Sequence, residues 1–306
     1  MDALFVMLGL AGLFVGGEFL VRGSVAVARS FGISPLLIGL TVVGFGTSMP
    51  ELLVSVDAAL RGLPDIALGN VVGSNIANIL LIIGASALLW PITLAGSFPK
   101  RDLATMLMAA LLLLPLFALG AVGRSAGMVL VGGLVVYLVL AFQGARGEQE
   151  VEPDATLAMP LWVAGGLVVV GLLALLVGAR LLIDGAVAIA RDFGLSEAFI
   201  GLTIVAVGTS LPELATSLVA ALRRQSDIAI GNVVGSNIFN ILGILGVTAI
   251  ITPIPVAARF LAFDLPVMLV ASLLLAGLLL FRWSLGRPVG LLMLVAYAAY
   301  VWAAQG

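Results

Sequence analysis

The sequence has no cysteine and no histidine. Disulfides, thiolate metal sites and imidazole ligands are therefore excluded by composition. Any bound cation must be held by oxygen atoms, which favours hard ions such as Na+, Ca2+ or Mg2+ over zinc or copper. Charge is scarce as well: 10% of the 306 residues are charged, and the net charge is −2. No basic cluster marks a nucleic-acid surface. What is present is apolar length. The chain is 62% hydrophobic, with a mean hydropathy of +1.27. A soluble fold of this size needs more polar residues to cover its surface. Most runs between polar breaks are long enough to cross a hydrocarbon core of about 30 Å. The N-terminal run is too long, and too closely followed by further spans, for a cleaved signal peptide, and reads as the first membrane helix.

The pattern predicts an all-α polytopic membrane protein with ten transmembrane helices, at 2–28, 34–60, 65–89, 101–119, 124–143, 159–189, 196–222, 227–251, 260–281 and 286–303. The octapeptide GNVVGSNI occurs at 69–76 and again at 231–238, an offset of 162 residues. Upstream, Gly46-Thr47-Ser48-Met49-Pro50-Glu51 answers Gly208-Thr209-Ser210-Leu211-Pro212-Glu213 at the same offset. Arg29-Ser30-Phe31-Gly32 answers Arg191-Asp192-Phe193-Gly194, and Asp102-Leu103 answers Asp264-Leu265. The expected organisation is a first five-helix repeat at 1–143, a cytoplasmic linker at 144–158 and a second five-helix repeat at 159–306. Because five is odd, the second half enters the bilayer from the opposite side, making the repeats inverted. The odd-numbered connections hold nine basic residues and the even-numbered ones five. The positive-inside rule then places both termini outside the cytoplasm.

Thr47 and Glu51 are four residues apart and share a helix face. Pro50 has no N–H to offer the Gly46 carbonyl, so a kink exposing backbone oxygens near Gly44–Gly46 is expected beside them. Ala206, Gly208, Thr209, Ser210, Pro212 and Glu213 repeat the design. Asn70, Ser74 and Asn78 form a polar stripe on the next helix, as do Asn232, Ser236 and Asn240. Gly69/Gly73 and Gly231/Gly235 allow close helix approach. An ionisable group in an apolar run is costly and needs a reason. Converged on one axis, these helices would offer two carboxylates, carboxamide oxygens, hydroxyls and freed carbonyls. That set suits Ca2+, which takes six to eight oxygens, or can be divided among several Na+ ions. Without a cation the two acids would be like charges in a poorly hydrated pocket, so an empty site resists crossing the membrane or takes up protons.

At these residues the sequence resembles the cation/Ca2+ exchanger superfamily, and within it the prokaryotic sodium/calcium exchangers. Segments 39–80 and 201–242 look like that family's two alpha-repeats. The resemblance implies a Na+/Ca2+ antiporter of the cell (inner) membrane working by alternating access, with Ca2+ and Na+ as substrates. It implies no enzyme activity, no cofactor, no nucleic acid and no obligatory protein partner beyond the lipid bilayer. It makes Glu51 and Glu213 the central Ca2+ ligands, completed by Asn78 and Asn240. Flanking Na+ sites would use Thr47, Ser48 and Ser74 on one side and Thr209, Ser210 and Ser236 on the other, with the carbonyls of Gly44 and Ala206. Many relatives carry an aspartate in place of one of the two asparagines; here both are Asn, so the site has two acids, and no potassium role carries over. The rival readings are a proton-driven exchanger on the same scaffold, a passive cation channel and an intramembrane hydrolase. The last lacks any nucleophile–base constellation.

Other polar residues have simpler readings. Ser55 and Thr41 read as interhelical glue. Asp65 and Asp227 read as N-caps, and Asp102 and Asp264 as interfacial caps. Asp57 reads as peripheral. Glu18 and Asp184 have no acidic counterpart in the other half, and suit either a polar contact or an ion path. The long helices 2–28 and 159–189 are expected to slide as a pair across a core formed by the helices at 34–60, 65–89, 196–222 and 227–251.

Overall fold

A computed structural model describes residues 2–93, 98–145, 159–193, 206–281 and 284–304. Most of the expected linker, and the first part of the helix expected at 196–222, lie outside the described residues. Every long element is helical. In chain order they are α1 (Asp2–Phe31), α2 (Pro35–Thr47), α3 (Met49–Leu60), α4 (Pro64–Leu89), α5 (Lys100–Ala118), α6 (Arg124–Ala145) and α7 (Leu161–Asp192). There follow α8 (Ala206–Gly208), α9 (Leu211–Leu222), α10 (Ser226–Ile251), α11 (Phe260–Leu280) and α12 (Arg287–Ala303). Among the described residues seven helices are long and apolar enough to span a membrane, eight if α2 and α3 count as one bent span. Two shorter apolar helices, α9 and α12, add to them.

The expected span at 34–60 is broken, for the reason its proline suggests. Ser34 caps α2 by accepting from the Leu37 N–H at 3.2 Å, and Pro35 supplies the first turn. The helix stops at Ser48 (φ −84°, ψ 10°) and resumes as α3 after a 43° bend. Pro50 sits in the first turn of α3, where its missing N–H costs nothing. Ser210 repeats the break before α9 with φ −86° and ψ 7°, and Pro212 follows it. Two π-helical stretches, Asn78–Ile83 in α4 and Phe239–Leu245 in α10, interrupt the other duplicated helices at matching places. Such bulges are concentrated at functional sites. Asp65 and Asp227 are not N-caps. Leu63 and Gln225 hold those positions, and the two acids sit in the first turn, where the helix dipole favours them.

α4 and α10 are the most buried spans and carry the main apolar core, with α5, α6 and α11 packed around them. α1 and α7 form a second layer, and their outward faces present Met7, Leu10, Phe14, Val169, Leu173 and Val177. Exposed apolar residues of this kind suit lipid and would be a liability in water. Glycines bring α1 and α7 into backbone contact. A Cβ at Gly9 would lie 2.6 Å from Leu182 N, one at Gly16 2.7 Å from Leu175 N, and one at Gly23 2.8 Å from Val168 N. Partners fall in number as the α1 position rises, so the two helices run antiparallel. Their own glycines, Gly171, Gly178 and Gly185, repeat the α1 series at the offset of 162. Beyond the C-terminal end of α5, β1 (Ala121–Val122) pairs antiparallel with β2 (Ile254–Pro255), and before its N-terminal end Ile92 bridges Leu285.

Candidate ion-binding site

Each glutamate lies in the first turn of a resumed helix, Glu51 in α3 and Glu213 in α9. Both are 1% exposed. The serine at each break does not cap its own helix. Ser48 Oγ donates to Glu213 Oε1 at 2.7 Å, and Ser210 Oγ donates to Glu51 Oε1 at 3.2 Å. The two halves are therefore cross-linked at the acids. The second oxygen of each, Oε2, is buried and has no hydrogen-bond partner among the described residues.

α4 and α10 close the site. Asn70 Nδ2 donates to Glu51 O at 2.9 Å and to Ser55 Oγ at 2.8 Å. Asn232 Nδ2 does the same to Glu213 O at 3.2 Å and to Ser217 Oγ at 2.9 Å. Their oxygens accept from the opposite half, Asn70 Oδ1 from Thr209 at 3.4 Å and Asn232 Oδ1 from Thr47 at 3.2 Å. These asparagines clamp the broken helices, and Ser55 is interhelical glue as read. Asn78 and Asn240 differ: the Oδ1 of each is buried and unpartnered. Four carboxylate and carboxamide oxygens thus stand without hydrogen-bond donors among the described residues: Glu51 Oε2, Glu213 Oε2, Asn78 Oδ1 and Asn240 Oδ1. Leaving buried acceptors unsatisfied is costly, and oxygens of this kind are the ligands a hard cation takes. Among the described residues no cluster of three acids exists, in keeping with a site of two charges.

The flanking groups are placed as follows. The Thr47 hydroxyl lies 3.3 Å from Gly44 O, to which Ser236 Oγ donates at 3.1 Å. Gly44, Thr47 and Ser236 therefore meet in one buried cluster. Gly44 O also keeps its bond from the Ser48 N–H at 3.3 Å, so it is not a carbonyl freed by Pro50. On the other side Ser210 Oγ lies 3.4 Å from Ser74 Oγ, and Thr209 rests on Asn70. Ala206 opens α8, and its surroundings lie partly outside the described residues. Gly231 and Gly235 make the expected close approach, packing on the α2 backbone at Leu36 and Leu40. Gly69 and Gly73 make no such contact among the described residues.

Several residues gain a role that the sequence reading did not assign. Asn75 and Asn237 lie beside the site on α4 and α10, and Asn237 accepts from Asn78 Nδ2 at 3.0 Å. Both recur at the offset, the one signal that marked them, but they fall outside the every-fourth-residue stripe. Glu18 is a polar contact: Arg22 and Arg223 both pair with it, Arg223 Nε at 2.8 Å. Asp184 pairs with exposed Arg180 at 4.0 Å and Asp57 with exposed Arg61 at 2.8 Å, so both are peripheral. Asp102 and Asp264 are not interfacial caps. They are buried and held by Arg101 at 2.9 Å and Arg259 at 3.2 Å, and Tyr300 donates to Asp264 at 2.9 Å. A buried carboxylate needs such partners.

Known proteins share this architecture. The family model described as sodium/calcium exchanger protein matches residues 1–143 and 163–305. CaxA of Alkalimonas amylolytica is 42% identical over 310 residues, covering 97% of this chain and 96% of its own. Sodium/calcium exchanger MaX1 of Methanosarcina acetivorans is 33% identical over 339 residues, covering 97% of each chain. The solved structure of the sodium-calcium exchanger NCX_Mj, soaked with Na+ and Ca2+, superposes with a TM-score of 0.84 at 34% identity, covering 98% of this chain and 97% of that one. The chain belongs to the sodium/calcium exchanger family, a multi-pass integral membrane protein of a transporter family rather than an enzyme family.

Proposed function

We propose that this chain is a cation/Ca2+ antiporter driven by Na+, carrying Ca2+ at a site centred on Glu51 and Glu213. The observation that carries the reading is the group of four buried, unpartnered oxygens. Glu51 and Glu213 supply two negative charges to one Ca2+, and the Asn78 and Asn240 carboxamides add neutral oxygens. Thr47, Ser236 and the Gly44 carbonyl offer Na+ a second position. Ser48, Ser74, Thr209, Ser210 and the Ala206 carbonyl offer further oxygens around the acids. These ligand roles are part of the proposal.

Ten spans in two inverted halves, 1–143 and 159–306 around a cytoplasmic linker, belong to the same reading. The reciprocal Ser48–Glu213 and Ser210–Glu51 bonds and the antiparallel, glycine-seamed α1 and α7 support a two-fold relation in the membrane plane. The excess of basic residues in odd-numbered connections supports an inner-membrane protein with both termini extracytoplasmic. Chemistry then dictates exchange. Two carboxylates without a cation are held in a medium that penalises charge, so the empty site is the state least able to switch sides. A loaded site is compensated, and the α1–α7 pair is free to slide across the core and change its access. Any net charge carried couples to the membrane potential at about 2.3 kcal/mol per 100 mV.

Ca2+ uptake into proteoliposomes under an imposed outward Na+ gradient tests this. Uptake is expected to follow the Na+ gradient, and Glu51→Gln or Glu213→Gln to abolish it. Uptake that follows a pH gradient and ignores Na+ would replace Na+ by H+ as the driving ion. Flux with no counter-ion would indicate a channel.

A further inference from the structure

A carboxamide can turn either its oxygen or its amine to a cation, and only the oxygen attracts it. Asn78 must therefore be held one way round to serve the site. Its Nδ2 donates to Asn237 Oδ1 at 3.0 Å, across the interface between α4 and α10, and this leaves Asn78 Oδ1 free and buried. Asn237 Nδ2 in turn faces the backbone carbonyl of Asn75 at 3.5 Å. A backbone carbonyl accepts and never donates. It settles which end of Asn237 is the amine, and hence which end of Asn78 faces the ions. The Asn75 side chain is engaged elsewhere, donating to Val71 O at 2.7 Å. All three asparagines are almost fully buried, so water cannot substitute for a lost partner.

We propose that Asn237 is a positioning residue for the substrate cation: from one half of the protein it holds the Asn78 carboxamide of the other half oxygen-first. The relay begins at a group that cannot turn over and ends at an ion ligand. Its counterpart Asn75 is turned to Val71, so the device acts on Asn78. Partners of this kind around a metal typically change affinity by about 10–100-fold when removed. The inference rests on Asn78 being an ion ligand.

The test is Ca2+ affinity of the purified full chain, read by calorimetry so that the identity of the counter-ion does not matter. Asn237→Leu removes the acceptor at nearly constant volume and is expected to weaken Ca2+ binding about tenfold. Asn237→Asp keeps an oxygen toward Asn78 whichever way it turns, and with its added negative charge is expected to bind Ca2+ at least as tightly as the parent. Asn78→Ala weakens binding, and adding Asn237→Leu to it makes binding no weaker, because the partner has nothing left to orient. Should Asn237→Leu not assemble, Asn237→Ala carries the same expectation. Parent-like affinity in Asn237→Leu, failure of Asn237→Asp to restore binding, or additive losses in the double variant would overturn the positioning role while leaving the site intact. Unchanged affinity in Asn78→Ala would instead remove Asn78 from the site, and this inference with it.

Discussion

Ser48 stands at the break before α3 and gives its hydroxyl hydrogen to Glu213 in the other half of the chain, 2.7 Å away. Ser210 returns the contact to Glu51 at 3.2 Å. Each acid therefore has one oxygen held by the opposite half and one left open. A hydrogen bond to a carboxylate in a water-poor site contributes about 1.5–3 kcal/mol. Ser48→Ala is expected to raise the KM for Ca2+ by about tenfold or more. Ser210→Ala, which loses the longer bond, is expected to have the smaller effect. Initial rates of radioactive Ca2+ uptake into proteoliposomes check both, and equal or reversed effects would contradict the geometry.

A third acid would change how protons compete. Asn240, proposed above as a ligand, presents a buried oxygen with no hydrogen-bond partner among the described residues, and Asn240→Asp places an ionisable group there. At low pH the new carboxyl is protonated and as neutral as the amide it replaces. As pH rises it ionises and adds attraction for Ca2+. The variant is therefore expected to gain Ca2+ affinity with rising pH more steeply than the parent. Affinity measured between pH 5.5 and 8.5 checks this. An unchanged profile would mean that Asn240 does not face the ions.

The seam between α1 and α7 tolerates no side chain at its crossing points. A Cβ on Gly16 would lie 2.7 Å from Leu175 N and 2.9 Å from Gly171 O, both backbone atoms that cannot step aside. Gly16→Ala is expected to cost about 1–3 kcal/mol in stability by forcing the helices apart. Slower maximal transport is expected with it. Gly166→Ala has nothing within 4 Å among the described residues and is the control, expected to be silent. Thermal melts in detergent and uptake rates distinguish the two.

Glu18 ties α1 to the end of α9 through Arg223, and the tie has no mirror image. At the offset, Glu18 corresponds to Arg180 and Arg223 to Arg61, which among the described residues pairs with exposed Asp57. Arg223 is about half exposed, so screening reduces its contribution. Arg223→Gln is expected to lower stability by about 1 kcal/mol, with Tm falling by about 2–4 °C. Arg61→Gln is expected to leave Tm unchanged. A Tm unaffected by Arg223→Gln would show that Arg22 alone satisfies Glu18.

Much of the site was legible from repetition. Glu51, Pro50 and Ser48 share a helix with the break they cause, and local chemistry foretells a kink wherever a proline removes a donor. Asn78 and Asn240 announced themselves by recurring beside an acid-bearing segment. Asn237 did not, because its importance lies in the one atom of Asn78 that it touches, 159 residues away in the chain. Asp102 and Asp264 misled for a related reason. Near a helix start an acid reads as a cap, and only packing shows whether it faces water or an arginine. Gly231 and Gly235 were recognised as contact points, but the backbone of α2 that fills them was not.

By itself the sequence determined the solvent and the inventory: a chain too apolar for water, an oxygen-only ligand set, and two matched acid-bearing breaks. Those follow from composition and from periodicity along single helices, which need no knowledge of neighbours. The tertiary structure decided who meets whom. It crossed Ser48 with Glu213 and Ser210 with Glu51, left four oxygens unpartnered, and set Asn237 against Asn78. These contacts join segments 159 and 165 residues apart. They arise because the halves pack on each other through glycine seams, α1 antiparallel to α7 and α10 parallel to α2, and helix periodicity carries no information about contacts across such a seam.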